Sequence, residues 1–264
     1  LTLDHSDRTK TAFVSSGWTD QPVEAMAFTP WSDALRQAQA EKKLIVAAPS
    51  ACGDCDKLFD SGVVRSRLGG YVVTRLDAPA SQSLGLAGDG HVVLLDQWGR
   101  LRFDWDTPSA QELTVRLAQT RTIAGNILRA GDLLQAGDSA EAHFALGFAY
   151  LRTDAFVKAK SEYDAARTLA SQTGDNVLAQ RADIQAAAVT AQSGQRREAI
   201  ASLEKIVRTP ASATTEAEAW LVLGHLRKSG GDPRAAQEAY VRAAQRAPQG
   251  SELRRIASSL AGPR

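Results

Sequence analysis

Between residues 31 and 106 the chain alternates two apolar patterns. Short β-branched runs, LIVAA at 44 to 48, YVVTRL at 71 to 76, HVVLL at 91 to 95 and RLRF at 100 to 103, are bounded by Gly, Pro and Asp, which is how strands read. Between them apolar residues recur at helical spacing: Ala34, Leu35, Ala38 and Ala40 within Trp31 to Lys43, and Leu58, Phe59, Val63, Val64 and Leu68 within Cys55 to Leu68. Strands and helices interleaved at this range predict an α/β unit, and DQWGR at 96 to 100 predicts a tight turn that joins the last two strands as a hairpin.

From Pro108 onward the β-branched runs vanish and alanine takes over, so this half is expected to be all helix. Leu113, Leu117, Ile123, Ile127 and Leu134 keep near-helical spacing, with Gly125 and Gly131 as weak points. One helix closing the α/β unit is expected, then a break near Arg121 and a connecting helix over 122–138. Beyond it the chain repeats itself. Leu146, Gly147 and Tyr150 are followed by Ala159, Tyr163 and Ala166; Trp220, Leu223 and Gly224 are followed by Ala236, Tyr240, Ala243 and Pro248. A middle copy, Ala186, Ala187, Ala199, Leu203 and Ile206, holds the register with smaller side chains.

These offsets resemble the tetratricopeptide pattern of W-x2-L-G-x2-Y followed by A-x3-F-x2-A and a closing Pro. The resemblance implies paired helices whose small residues permit close approach, with Tyr163 and Tyr240 filling the gap to the next pair. Copies spaced wider than the repeat's length of about 34 residues imply long loops and a splayed stack. SELRRIASSL at 251 to 260 is expected to be a capping helix. The predicted division is a poorly ordered extension at 1–24, an α/β unit at 25–121, the connecting helix, and about three hairpins with the cap over 139–264.

Composition narrows the function. At 264 residues and 44% hydrophobic, two ordinary domains can each bury a core. A net charge of +1 with scattered Lys and Arg lacks the electrostatic footprint of a nucleic-acid binder. The longest apolar run, Leu44 to Ala48, falls far short of the ~20 residues of a membrane span. The first residue is Leu1 and the stretch before Trp18 is polar, resembling a mature exported chain; a bacterial periplasm or envelope is expected, with the cytoplasm as the alternative.

The only two cysteines form Cys52-Gly53-Asp54-Cys55, directly after the 44 to 48 strand and at the start of a helical segment. At a helix start, unpaired N–H groups and the macrodipole favour an anion, which lowers a thiol's pKa from ~8.5. Cys52 is therefore expected to be an exposed nucleophilic thiolate and Cys55, one turn on and more buried, the resolving thiol. Gly53 is expected to permit the turn, Asp54 to oppose the thiolate, and Lys57 to soften the acidity of Asp54 and Asp56.

With these flanks, residues 25 to 120 resemble the thioredoxin family. Trp31, Ala34, Ala38 and Lys43 fit the lead-in of one branch, CGDCDKL stands where the family has CGPCK, Asp77 ends the next strand, and VVLLDQWGR matches its strand and turn. The resemblance implies a mixed sheet flanked by helices and thiol-disulfide exchange without a cofactor. The order of the two parts is similar to that of bacterial chaperedoxins, which implies protein clients held by the repeat groove and a redox partner protein. Four positions depart: Gly90 and His91 replace the cis-proline, Val46 the buried Asp, Ala51 the Trp and Asp54 the Pro. They argue against efficient general reductase activity.

Three readings of the pair follow: a redox couple, which is favoured; a metal clip of Cys52, Cys55 and His91, with Gly90 leaving room for a ligand; and an oxidised staple in an adaptor whose groove does the binding. His143 and His225 are expected to be packing or solvated positions, His5 to lie in the N-terminal extension, and Trp18, Trp31, Trp105 and Trp220 to be packing residues. Trp98, in a hairpin turn, is the tryptophan expected to contact something outside the fold.

Overall fold

A computed structural model describes residues 26–86, 90–106 and 108–262; the expectations for 1–24, His5 and Trp18 lie outside the described residues. The first part comprises α1 (Trp31–Glu41), β1 (Ile45–Pro49), α2 (Gly53–Asp60), α3 (Gly62–Leu68), β2 (Val72–Leu76), α4 (Ala78–Ser83), β3 (His91–Leu95) and β4 (Leu101–Asp106). The strands form one sheet in the order β2-β1-β3-β4. β1 pairs with β2 in parallel and with β3 antiparallel, and β3 and β4 form the expected hairpin. β1 is buried along its whole length because both sheet faces are covered, and LIVAA is accordingly continuous rather than alternating. Val46, Ala48, Val92 and Leu94 face α2, α3 and α5, whereas Ile45, Ala47, Val93 and Leu95 face α1 and α4.

The helix expected over Cys55 to Leu68 breaks at Ser61, whose backbone is extended at φ −57 and ψ 125. Phe59 and Val64 are both fully buried, yet on an unbroken helix they would point roughly 140° apart at 100° per residue. The break lets each face the sheet and turns Val63 outward, where it is 56% exposed.

The expected break near Arg121 is absent. α5 (Ala110–Ala136) is one helix of 27 residues, started by a capping box between Ser109 and Glu112. Its first half buries Leu113 and Leu117 against the sheet unit, and its second half buries Ile123, Ile127 and Ala130 under the helices that follow; all belong to one core cluster. Each Gly costs a helix about 1 kcal/mol, and burial at both ends outweighs it. One core cluster therefore runs from β1 through α5 into the helices beyond it.

Gly131 has a packing reason. A Cβ there would lie 3.0 Å from Asp96 Oδ2 and 3.1 Å from Gln97 Oε1, so the hairpin turn seats directly on α5. Asp132 Oδ1 accepts from Gln97 Nε2 at 2.8 Å and from the Trp98 indole at 3.0 Å. Arg100 donates to the Gly131 carbonyl at 3.0 Å. The Trp98 indole is thus tied to α5 through Asp132, while the side chain stays half-buried.

The array is α6 (Ala140–Leu151) with α7 (Phe156–Thr173), α8 (Asn176–Gln192) with α9 (Arg196–Arg208), α10 (Ala213–Ser229) with α11 (Pro233–Arg246), and α12 (Glu252–Ala261). Among the described residues no helix is long and apolar enough to cross a membrane. The wide spacing of the copies lies in long helices, 18 residues in α7 and 17 in α8 and α10, and not in long loops. Tyr163 and Tyr240 press onto Gly147 and Gly224 of their own hairpins, where an added Cβ would stand 2.8 and 2.3 Å from the rings. The Tyr163 hydroxyl is buried with no hydrogen-bond partner among the described residues, and burial pushes its pKa far up. Tyr163→Phe removes that unpaired hydroxyl and keeps the ring, so it is expected to be neutral or to stabilise by up to about 1 kcal/mol, read from the urea midpoint.

Candidate functional site

The segment from Pro49 to Asp56 leaves the central strand and enters α2. Cys52 is the N-cap of α2, with extended backbone at φ −79 and ψ 90, and its N–H donates to the Pro49 carbonyl at 3.0 Å. Cys55 stands one turn in, and the two sulfurs form a disulfide with the Cα atoms 5.4 Å apart. The sulfurs therefore lie at the end of α2 where backbone N–H groups have no helical partner.

The exposure expected for Cys52 is not found. Cys52 is 4% exposed and Cys55 3%, so accessibility does not distinguish an attacking from a resolving sulfur. Both sit in the main core cluster with Val46 and Phe59, and both line the wall of a cavity of about 640 Å³. That cavity is walled by the start of α2, by Leu58, by Gly90 and Val92 before and within β3, and by Pro108 to Ala110 at the start of α5. Sequence patterns missed the α5 wall because it comes from about fifty residues downstream.

The neighbours fall into place unevenly. An added Cβ on Gly53 would meet nothing within 4 Å, so glycine is not required for the turn. Asp54 and Lys57 pair at 3.1 Å with side chains 93% and 83% exposed, a solvated pair of small energetic worth. Asp77, expected at the end of β2, caps α4 by accepting the Ala80 N–H at 2.8 Å.

The His91 backbone approaches the pair. Its carbonyl oxygen is 4.0 Å from Cys55 Sγ, while its ring Nδ1 is 2.8 Å from Asp104 Oδ1. Side chains alternate along a strand: Val92 faces the disulfide, so His91 shares the opposite face with Val93 and with Asp104, which pairs with Val93 across to β4. The clip of Cys52, Cys55 and His91 is thereby corrected, and among the described residues no three His, Cys, Asp or Glu side chains are grouped to hold a metal.

Arg75 is the residue near the site that sequence reasoning passed over. Its guanidinium lies over Phe28 at 4.7 Å and Phe59 at 5.4 Å, donates to the Pro49 carbonyl at 3.3 Å, and forms an ion pair with Asp56. The available signal was one cation inside the otherwise uncharged run YVVTRL.

In the array, His143 does more than pack. Its ring bridges two carboxylates, Glu162 of α7 at 2.6 Å and Asp138 of the α5–α6 turn at 2.7 Å. The hydrogen bond with Glu162 leads in raising its pKa above the ordinary value, against an opposing effect of burial. A raised folded pKa means stabilisation that is full below the unfolded value near 6.5 and is lost as pH rises through the folded value. His143→Gln is therefore expected to lower the urea midpoint at pH 5.5 and to approach the parent at pH 9. His225, by contrast, is held below its ordinary pKa by burial and meets the Tyr240 hydroxyl at 3.2 Å.

Comparison with known proteins identifies one segment: residues 217–249 match the tetratricopeptide repeat. No curated protein and no solved structure gives a match to the chain. The matched segment covers most of α10 and all of α11, and the other hairpins keep its register, since Gly147 with Tyr163 and Ala187 with Leu203 repeat the sixteen-residue offset of Gly224 with Tyr240. The C-terminal half is thus a helical array containing a tetratricopeptide repeat, a module of protein–protein interaction, carried on a small mixed α/β sheet unit.

Proposed function

We propose that the chain is a thioredoxin-like thiol-disulfide exchange protein whose helical array holds a protein client against the Cys52–Cys55 pair. The observation that carries this reading is the disulfide at the N-cap of α2 on the wall of an open cavity. The mixed sheet, flanked by helices and with the pair directly after its central strand, supports the thioredoxin-like assignment.

In the reducing direction, Cys52 thiolate attacks one sulfur of a client disulfide. A Cys52–client disulfide forms and one client thiolate leaves, to be protonated from solvent. Cys55 then loses its proton and attacks Cys52 Sγ, re-forming the intramolecular disulfide and releasing the second client thiolate. Two electrons pass to the client, and a redox partner protein must return two to the pair. Until that step the His91 carbonyl is placed to accept the Cys55 S–H, in a core where Val46 offers no proton acceptor. Because both sulfurs are reached through the cavity, the client's disulfide must lie in an extended or unfolded segment, and tethering by the array raises its local concentration.

A second reading is favoured by the low exposure of both sulfurs: the disulfide is a staple, and the array alone acts as an adaptor or holding chaperone. Mass measurement after alkylation separates the two. The exchange reading expects two alkyl groups added to the native protein after mild dithiothreitol treatment, and none before; a disulfide that opens only on denaturation supports the staple.

A further inference from the structure

We propose that Arg75 is a positioning residue for the Cys52–Cys55 pair: it fixes both ends of the segment carrying the cysteines and supplies the positive charge that stabilises the Cys52 thiolate. This rests on the exchange reading above.

The geometry joins three elements at one guanidinium. Arg75 belongs to β2, in register with Ala48 of β1. One guanidinium nitrogen donates to the Pro49 carbonyl at the exit of β1, which also accepts the Cys52 N–H. The other pairs with Asp56 in the first turn of α2. Phe28 and Phe59 hold the guanidinium over their rings. Pro49 and Asp56 bracket both cysteines, so a single planar, multidentate group spans the entry and exit of the reactive segment. A lysine, with one donor point, cannot hold both ends at once.

Charge adds a second effect. The Arg75 side chain is 15% exposed and that of Asp56 59%, so solvent screens the carboxylate more than the guanidinium. The pair accordingly leaves a net positive charge on the segment that carries Cys52, in addition to the helix end. Of the other charges of this segment, Asp54 pairs with Lys57, and the Asp60 carboxylate accepts the Met26 N–H. A Cys52 thiolate exists only in the reduced protein, so a positive field at the Cys52 segment favours reduction of the disulfide.

This gives the proposal opposite signs to test. Arg75→Met and Asp56→Asn break the same ion pair and free the same segment, so a purely structural clamp moves both variants in one direction. A charge acting on the thiolate moves them apart. The full-length parent, Arg75→Met, Arg75→Lys and Asp56→Asn are equilibrated in dithiothreitol buffers of graded ratio, with the reduced fraction read by alkylation and mass. The pH midpoint of Cys52 alkylation by iodoacetamide is measured in parallel. Arg75→Met is expected to lower the equilibrium constant for reduction about tenfold and to raise the alkylation midpoint. Asp56→Asn is expected to raise the constant about threefold and to lower the midpoint, and Arg75→Lys to stay within about threefold of the parent. Should Arg75→Met fail to fold, the exposed Asp56→Asn still carries the sign. Shifts in one direction overturn the charge acting on the thiolate, and no shift while the parent cycles normally overturns the role of Arg75 altogether. A parent that stays oxidised in every buffer overturns the exchange reading and this inference together.

Discussion

Replacing Asp96 with Ala is expected to be the most damaging single change in the sheet unit, at about 3–5 kcal/mol. Asp96 is fully buried, and Oδ2 receives Arg102 through Nη2 at 2.6 Å and Nε at 3.2 Å, with the Arg102 side chain only 8% exposed. Its Oδ1 accepts the backbone N–H groups of Trp98 at 2.9 Å and Arg100 at 3.0 Å, which shapes the β3–β4 turn. Truncation leaves a guanidinium buried without its counter-charge and two turn N–H groups without an acceptor. The turn in turn loses its seat on Gly131 and Asp132 of α5. Urea unfolding of Asp96→Ala, and of the double variant Asp96→Ala/Arg102→Met, measures both parts. The double variant is expected to recover part of the loss, because it removes the stranded charge. A single variant within 1 kcal/mol of the parent contradicts this account of the turn.

Gly224→Ala is expected to destabilise the array by about 1–3 kcal/mol, although alanine is the better helix former by about 1 kcal/mol. The added Cβ would stand 2.3 Å from Cε1 and 2.5 Å from Cδ1 of Tyr240, which lies on the buried face of α11 with its ring 5.4 Å from that of His225. The middle hairpin has already made the complementary exchange, with Ala187 and Leu203 at the equivalent positions. Gly224→Ala/Tyr240→Leu is therefore expected to be more stable than the sum of its two single variants by about 1–2 kcal/mol. Additive losses would show that the Cβ and the ring do not meet.

The register behind that prediction was legible in the sequence, because a helix pair that packs this closely leaves a fixed offset between its small and large partners. The central strands β1 and β3 were legible for a similar reason: two covered sheet faces leave continuous apolar runs, whereas the edge strands β2 and β4 carry Arg75, Arg102 and Asp104 and showed only shorter runs. What escaped depended on contacts distant in sequence. Gly125 and Gly131 read as weak points within α5, but their cost is offset by burial against α3 and α6. Val63 fits a helical stripe and faces solvent because the chain breaks at Ser61. Trp98 read as surplus to the sheet until α5 was placed under it.

At the candidate site, the pair, its strand and its helix were readable from Cys52 to Leu58, since local order alone puts a sulfur at a helix start. The exposure of Cys52 was not readable. The α2 start sinks into the core shared by Val46, Phe59 and Leu113, and the cavity wall comes from Pro108 to Ala110. The strand parity that turns the His91 ring away required the register of β3 against β4. Arg75 was visible as a residue but not as a clamp, because its partners lie in β1 and α2.

The most direct test of the central claim is turnover of insulin disulfides by the full-length protein in dithiothreitol, compared with Cys52→Ser and Cys55→Ser. Exchange at the helix start predicts that Cys52→Ser falls to the uncatalysed rate and that Cys55→Ser accumulates a mixed disulfide through Cys52. Equal rates for the parent and Cys52→Ser, with no mixed disulfide in Cys55→Ser, would contradict it and leave the array as the working part of the molecule.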